Sequence, residues 1–485
     1  MRLLAVLAVA GAFYTQTPAA PPADMAYDLA TPTGAIAGTL RMPATTSKVP
    51  VVLIIAGSGP TDRNGNSGAA VTGNTYLMLA DALASRGIAT VRYDKRGIAA
   101  SRASGPAEAD MRFDIGVNDA SLWIEKLRND VRFRSVIVAG HSEGSLVGML
   151  AARQARADGY ISIAGVASRA SDVLRAQLKP QLAPYPALAA ANESIIKSLE
   201  AGQTVPTLPP VVAGVPGVAN LWRPSVQPYL ISWFRYVPAT EFAFFKRPAL
   251  IIQGTTDIQV SVDEAKALAA AKPDATLKII DGMNHLLKTA PAERMANIAT
   301  YTQPDLPLVP AVTDAIAAYV NGLTLPPHAN AERKSPRAVV SAEIDGCRIA
   351  VEYGQLGVRD RAIWGALVPW HKQWMPGADE ATTLTTSAPI ILGQADKGLI
   401  VPAGDHTLFA MPSEDNFLLL VNNERYQFHT EYHASRDLGR VKMSMAKIDQ
   451  PAELLRFEVV KTATGGVLKF SWSDREYSVA FERQR

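Results

Sequence analysis

Six short runs of consecutive apolar residues, rich in β-branched side chains, punctuate the first part of the chain: Val51–Ala56, Ala89–Tyr93, Val136–Ala139, Tyr160–Ala164, Ala249–Ile252 and Thr276–Ile280. Read as continuous apolar strands, such runs are expected to be buried on both faces. Such strands need helices on both sides, and the patterns at Thr75–Ser85, Asn118–Leu127 and Leu146–Arg156 have helical length and period. The expected class is therefore α/β, with a mostly parallel sheet and right-handed crossovers. Ahead of it, Tyr27–Pro43 alternates around Gly34 and Gly38 as an opening antiparallel pair would. Ser261 followed by Glu264 predicts a capping box at one later helix.

The alternation breaks between about residues 166 and 246, where prolines and amphipathic stretches replace strands. A segment of that length between two central strands reads as an inserted cap rather than a structureless loop. Residues 326–337, charged and bounded by prolines, read as a linker between a unit over 23–325 and a second over 338–485. The second is strand-rich with frequent turns, such as Pro402-Ala-Gly-Asp405 and Thr464-Gly-Gly466, which predicts an all-β sandwich- or barrel-like domain.

A net charge of +3 without a basic block excludes a nucleic-acid footprint or an electrostatic membrane surface. Cys347 stands alone, which excludes an internal disulfide and a cysteine-rich metal site, and it reads as a buried small hydrophobe. At the start, Met1-Arg2, the apolar run Leu3–Tyr14 and the small, proline-rich Thr15–Pro22 read as a signal peptide over residues 1–22. Its apolar run is too short to span a bilayer, and the alternative is a retained N-terminal helix. The expectation is an exported bacterial protein, periplasmic or extracellular, with no membrane span.

The chemistry concentrates at strand ends. Val136–Gly144 is an apolar strand running into Gly140-His-Ser142-Glu-Gly144 and then a helix. A nucleophile elbow of this kind needs small residues on both sides, because the backbone turns sharply and holds Ser142 in a strained conformation. A serine hydroxyl needs a base and an orienting acid, and on such an elbow the chain order is serine, acid, histidine. His285, in the loop after Thr276–Ile280, is the expected base, with His141 and His328 the other histidines of this half. Asp257, just past Ala249–Ile252, is the expected acid, with Asp263 and Asp281 as less suitably placed alternatives. The oxyanion hole needs two backbone N–H donors: Glu143, after the nucleophile, and Ser58, preferred over Gly57, in the loop Gly57–Asn66. Asp62 and Arg63 either anchor that loop or touch substrate, anchoring being preferred; the charges of Tyr93-Asp-Lys-Arg-Gly97 read as turn-stabilising.

On Gly57-Ser-Gly-Pro-Thr-Asp-Arg63, Tyr93-Asp-Lys-Arg-Gly97, Gly140–Gly144, Gly254-Thr-Thr-Asp257 and Gly282-Met-Asn-His285, the chain from about 25 to 325 resembles the α/β-hydrolase superfamily. The likeness is to its secreted esterase and serine-aminopeptidase-like branch. It departs from the common pattern at Ser145, where relatives often carry glycine, and at Ala56, where they often carry histidine. The region from about 340 onward resembles a bacterial domain family of unknown function, on Trp364–Pro369, Trp374–Thr383, Pro402–Phe409 and Pro412–Asp415. Met375 stands where that family usually has arginine.

The resemblance implies a serine hydrolase using Ser142, Asp257 and His285 without a cofactor. The expected substrate is a carboxylic ester of small or medium acyl group; the alternative is a short peptide or amide. An alternative of another class makes the C-terminal domain a binding module for a glycan or a protein. His371, His406, His429 and His433 show no metal-ligand spacing, so no metal is expected.

Overall fold

The computed structural model describes residues 24–323 and 335–484, apart from 46, 394–397, 426 and 428. The signal-peptide segment 1–22, most of the linker and His328 lie outside the described residues.

The first sheet consists of β1 (Asp24–Ala26), β2 (Gly38–Arg41), β3 (Val49–Ile55), β4 (Ala89–Tyr93), β5 (Phe133–His141), β6 (Gly159–Ile163), β7 (Ala249–Gly254) and β8 (Thr276–Ile280). Their order among the described residues is β1-β2-β4-β3-β5-β6-β7-β8. β1 and β2 are antiparallel additions, while β3 to β8 pair in parallel. The runs in β3 to β7 are buried on both faces, whereas β8, at the edge of the sheet, is mostly exposed. On one face α2 (Phe113–Arg128) and α3 (Glu143–Gln154) bury Trp123, Ile124 and Leu150 against Leu53 and Val138. On the other, α1 (Thr75–Ala84) packs Leu79 and Leu83 against Val52 and Ile137.

Between β6 and β7 the chain makes α4 (Ala170–Leu182), α5 (Pro186–Glu200), α6 (Pro210–Ala213), α7 (Pro216–Leu221), α8 (Gln227–Phe234) and α9 (Pro238–Ala243). Pro186, Pro210, Pro216, Pro228 and Pro238 stand at the first turns of α5 to α9, where a missing N–H costs nothing and the fixed φ starts a helix, while Pro180 lies inside α4. These helices share an apolar cluster around Ile196, Trp222 and Phe234 and close over the C-terminal ends of the strands. The chain then adds α10 (Val262–Ala271), α11 (Arg294–Ala299) and α12 (Pro310–Gly322), the last packing Val312 and Ile316 against the α1 face.

The capping box expected at α10 does not form: Ser261 is the N-cap residue, but its side chain makes no cap bond. Glu264 turns instead to the start of the cap, accepting from the N–H groups of Ala167 (2.7 Å) and Ser168 (2.9 Å) and from Ser168 Oγ (2.7 Å). Three charge-assisted bonds on a tertiary partner outweigh one local cap.

The second unit is a single antiparallel sheet. It comprises β9 (Arg337–Ile344), β10 (Cys347–Gly354), β11 (Thr383–Thr386), β12 (Ile390–Leu392), β13 (Leu399–Val401), β14 (Gly404–Pro412), β15 (Phe417–Asn422), β16 (Asp437–Thr462) and β17 (Gly465–Arg483). Their order is β13-β12-β17-β16-β15-β14-β11-β10-β9. Register shifts between Lys447 and Arg456 bend β16, and the edge strand β9 packs back against it. The sheet thus curls around Phe417, Phe457, Phe470 and Trp472, with Cys347 fully buried.

The two units meet through charge. Arg153, at the end of α3, reaches Glu241 of α9 (3.1 Å) and Glu424 of the second unit (3.3 Å). Arg436 closes on Glu241 (2.9 Å) and His433 on Glu424 (2.6 Å). Arg153 and Glu424 are 3% and 0% exposed, so this ion cluster is interior to the molecule. Among the described residues, no helix is long and apolar enough to cross a membrane.

Candidate active site

Ser142 stands between β5 and α3 at φ 55°, ψ −125°, a backbone conformation that L-residues rarely hold. Two constraints impose it. Its N–H donates to Ile163 O (2.9 Å), and its carbonyl accepts from Ser145 N–H (2.9 Å). The turn is so tight that a Cβ on Gly140 would lie 2.1 Å from Gly144 O. The serine thereby sits at the N-terminus of a twelve-residue helix, whose dipole favours negative charge there.

His285 lies in the loop after β8, and its Nδ1–H donates to Asp257 Oδ2 (2.8 Å). Asp257 follows β7 and is nearly sealed from solvent, with a side chain 1% exposed. Its Oδ1 accepts from Gln259 N–H (2.8 Å) and Val260 N–H (3.0 Å), and Gln253 Nε2 donates to Oδ2 (3.1 Å). Burial pushes this carboxyl up, but His285 and the two backbone N–H groups outweigh it and hold it below the usual carboxylate range. The loops of His285 and Asp257 close on each other at Gly254, where a Cβ would meet Met283 O at 1.9 Å. The alternative acids are engaged elsewhere: Asp281 accepts from Thr255 Oγ1 (2.8 Å), and Asp263 faces Lys266 on the exposed side of α10.

Ser142 and His285 line one cavity of about 150 Å3, together with Gly57, Ser58 and Tyr76. No hydrogen bond joins Ser142 Oγ to His285 among the described residues, and such contacts often tighten only when substrate enters. A larger cavity of about 860 Å3 opens from Ser142 beneath the cap. Its walls include Ser58, Ser142 and Glu143 at one end, Val147 of α3, and Leu174 and Leu230 of the cap.

His141 holds the two sides of this site together. Its Nε2–H donates to the carbonyl of His285 (2.9 Å), which leaves Nδ1 to accept from Tyr76 Oη (2.8 Å). Tyr76 in turn accepts from Gly57 N–H (3.2 Å). Burial, and then the charge of nearby His285, lowers the His141 pKa to about 3, so the ring stays neutral as this chain of bonds requires. Gly57 N–H is thereby occupied, whereas Ser58 N–H makes no hydrogen bond among the described residues. The Glu143 N–H lies in the first turn of α3, and its side chain accepts from Tyr229 Oη of the cap. Burial pushes the Glu143 carboxyl up, against the pull of Lys95 and Tyr229.

Asp62 and Arg63 anchor their loop. Asp62 accepts from the N–H groups of Asn64 (2.8 Å) and Asn66 (2.9 Å), and Arg63 pairs with Asp94 (2.7 Å). Tyr76, Gln253 and Tyr229 had no motif to announce them. In the second unit the four histidines have separate partners: Glu414 for His371, Pro402 O for His406, Asp379 O for His429 and Glu424 for His433. Among the described residues no three His, Cys, Asp or Glu side chains converge as a metal site.

Residues 66–203 match the family described as serine aminopeptidase, S33, a span that includes Ser142 and ends before Asp257 and His285. Residues 335–481 match the family described as a protein of unknown function, DUF2911. The chain is 25% identical to esterase EstD of Thermotoga maritima over 268 residues, 53% of this chain and 60% of that protein. The match thus spans less than two thirds of that relative's length. Among solved structures, Est1E from Butyrivibrio proteoclasticus is similar at 16% identity and a TM-score of 0.38, over 61% of this chain and 99% of that one. An esterase of Pyrococcus furiosus is similar at 13% identity and a TM-score of 0.39, over 62% and 92%. Residues 66–203, in the unit with the mostly parallel sheet, are thus similar to the serine-aminopeptidase S33 family, and residues 335–481, in the antiparallel unit, to the DUF2911 family.

Proposed function

We propose that this chain is a serine carboxylesterase with Ser142 as nucleophile, His285 as general base and Asp257 as the acid that orients it. The supporting observation is convergence: the strained serine and the histidine bonded to a buried aspartate line one cavity. His285 Nε2 takes the Ser142 proton as Oγ attacks the ester carbonyl carbon. The carbonyl oxygen becomes an oxyanion held by Ser58 and Glu143 N–H. Collapse expels the alcohol, protonated by His285, and leaves an acyl-enzyme. Water, deprotonated by the same histidine, then attacks the acyl-enzyme and releases the acid. No step calls for a cofactor. The mostly apolar cavity of about 860 Å3 suits small or medium acyl groups.

The test is hydrolysis of p-nitrophenyl butyrate by the purified chain beside Ser142→Ala. A loss of about 10⁴-fold or more is expected, and unchanged turnover would overturn the assignment of Ser142. The family match over residues 66–203 favours a second reading, an aminopeptidase or amidase on short peptides. Turnover of an ester and an amide of the same acyl group separates the two. The N-terminal pattern supports export, which cell fractionation of the full chain would test.

A further inference from the structure

The segment Tyr93–Gly97 brings three charges to the end of β4. Asp94 is committed to Arg63 (2.7 Å), and Arg96 to Asp119 (2.6 Å). Lys95 differs: among the described residues it pairs with no carboxylate, and its Nζ donates to the carbonyl oxygen of Gly57 at 2.5 Å. It does so in the wall of the same largely apolar cavity that Ser58, Ser142 and Glu143 line.

That carbonyl belongs to the peptide unit whose other end is Ser58 N–H. In a planar trans peptide the C=O and N–H point in opposite directions, so an ammonium on the oxygen orients the N–H as well. It also polarises the unit, because hydrogen bonds in series strengthen one another, more so in a low-dielectric wall. Gly57 is fixed on its other side by its own N–H bond to Tyr76 (3.2 Å). The Gly57–Ser58 unit is therefore held at both ends, with only Ser58 N–H left to donate.

We propose that Lys95 is a positioning residue for the oxyanion hole: by donating to Gly57 O it aims and polarises Ser58 N–H toward the charge that develops on the substrate carbonyl. The inference rests on the esterase reading above. An interaction of this kind strengthens in the transition state, so its loss lowers kcat rather than raising KM.

The experiment compares full-length wild type, Lys95→Met, Lys95→Gln, Lys95→Arg and Ser142→Ala on p-nitrophenyl butyrate. Inhibition by an alkyl trifluoromethyl ketone, which forms a tetrahedral adduct, is read beside kcat and KM. Lys95→Met is expected to lower kcat by roughly 10-fold or more with KM within about 2-fold, and to weaken the ketone by a similar factor. Lys95→Arg should restore most of the loss. Lys95→Gln, keeping a neutral donor, should fall between and gives the same readout if Lys95→Met does not fold. A variant that folds and keeps kcat and ketone affinity, or that changes KM alone, overturns the role of Lys95. If Ser142→Ala keeps its activity, the esterase mechanism itself falls, and that outcome is separate.

Discussion

Ser142 at φ 55° shows how the site stores its geometry in single residues. The strain is held by Gly140, by the Ile163 carbonyl and by the helix that starts at Glu143. His285, the proposed base, is equally constrained: Asp257 fixes its Nδ1–H tautomer, which leaves Nε2 without a proton. Asp257→Asn would preserve the shape but present an amide that favours the wrong tautomer. We expect kcat to fall by about 10⁴-fold, the size seen when the aspartate of a serine-protease triad is so replaced, with little change in melting temperature. His141 gives a pH-dependent prediction. Its folded pKa of about 3 lies below an unfolded value near 6.5. The unfolded state therefore binds the proton first. The stabilisation is complete above about pH 6.5 and is lost as pH falls toward 3, at up to about 1.4 kcal/mol per pH unit. Thermal unfolding between pH 7 and pH 5 should show a steeper acid decline for wild type than for His141→Gln. Equal slopes would mean that His141 is not buried neutral.

At the scale of elements, strand ends set positions and the cap sets space. β5, β7 and β8 deliver Ser142, Asp257 and His285 from successive strand–loop junctions, and Gly254 allows the last two loops to touch. Gly254→Ala would drive a methyl into Met283 O, which should cost roughly 1–3 kcal/mol of stability and misplace His285. A melting curve read beside esterase turnover checks it. α8 carries Tyr229 onto Glu143 and Leu230 into the cavity wall. Shortening Leu230 to alanine lengthens the space beneath the cap. The ratio of kcat/KM for octanoyl over butyryl p-nitrophenyl ester should rise by about 10-fold, and an unchanged ratio would remove α8 from acyl selection.

At the scale of the molecule, the second unit meets the far end of the helix that begins after Ser142. Arg153 at the far end of α3 bridges α9 and the second unit through Glu241 and Glu424. Replacing it with methionine leaves Glu424 buried with His433 alone and weakens the hold on Glu241, which keeps Arg436. Breaking one partner of a buried cluster costs about 3–5 kcal/mol, because a charge is left without compensation. Arg153→Met should therefore lower the thermal midpoint and expose the join between the units to limited proteolysis. A variant as protease-resistant as wild type would show that the units dock by other contacts.

The central strands were legible because a parallel strand covered on both faces leaves an apolar run, as Val51–Ala56 and Ala249–Ile252 do in β3 and β7; β8 is an edge strand and mostly exposed. Ser142, Asp257 and His285 could be nominated for a related reason: each follows such a run, and the elbow needs its glycines at fixed spacing. Local pattern failed where partners are distant in the chain. Ser261 and Glu264 have the capping-box spacing, yet Glu264 is taken by Ala167 and Ser168. Lys95 read as a turn charge because nothing in Tyr93–Gly97 reveals that its ammonium meets Gly57 O. The Tyr76–His141–His285 chain joins residues up to 209 positions apart, and no one-dimensional signal marks it. Nor could composition foretell that β16 bends and the second sheet closes on itself. Burial and backbone sterics act locally, so the elements and the residue types at their ends can be read along the chain. Which buried polar group satisfies which depends on distances between segments far apart in the chain, and that is fixed only once they pack.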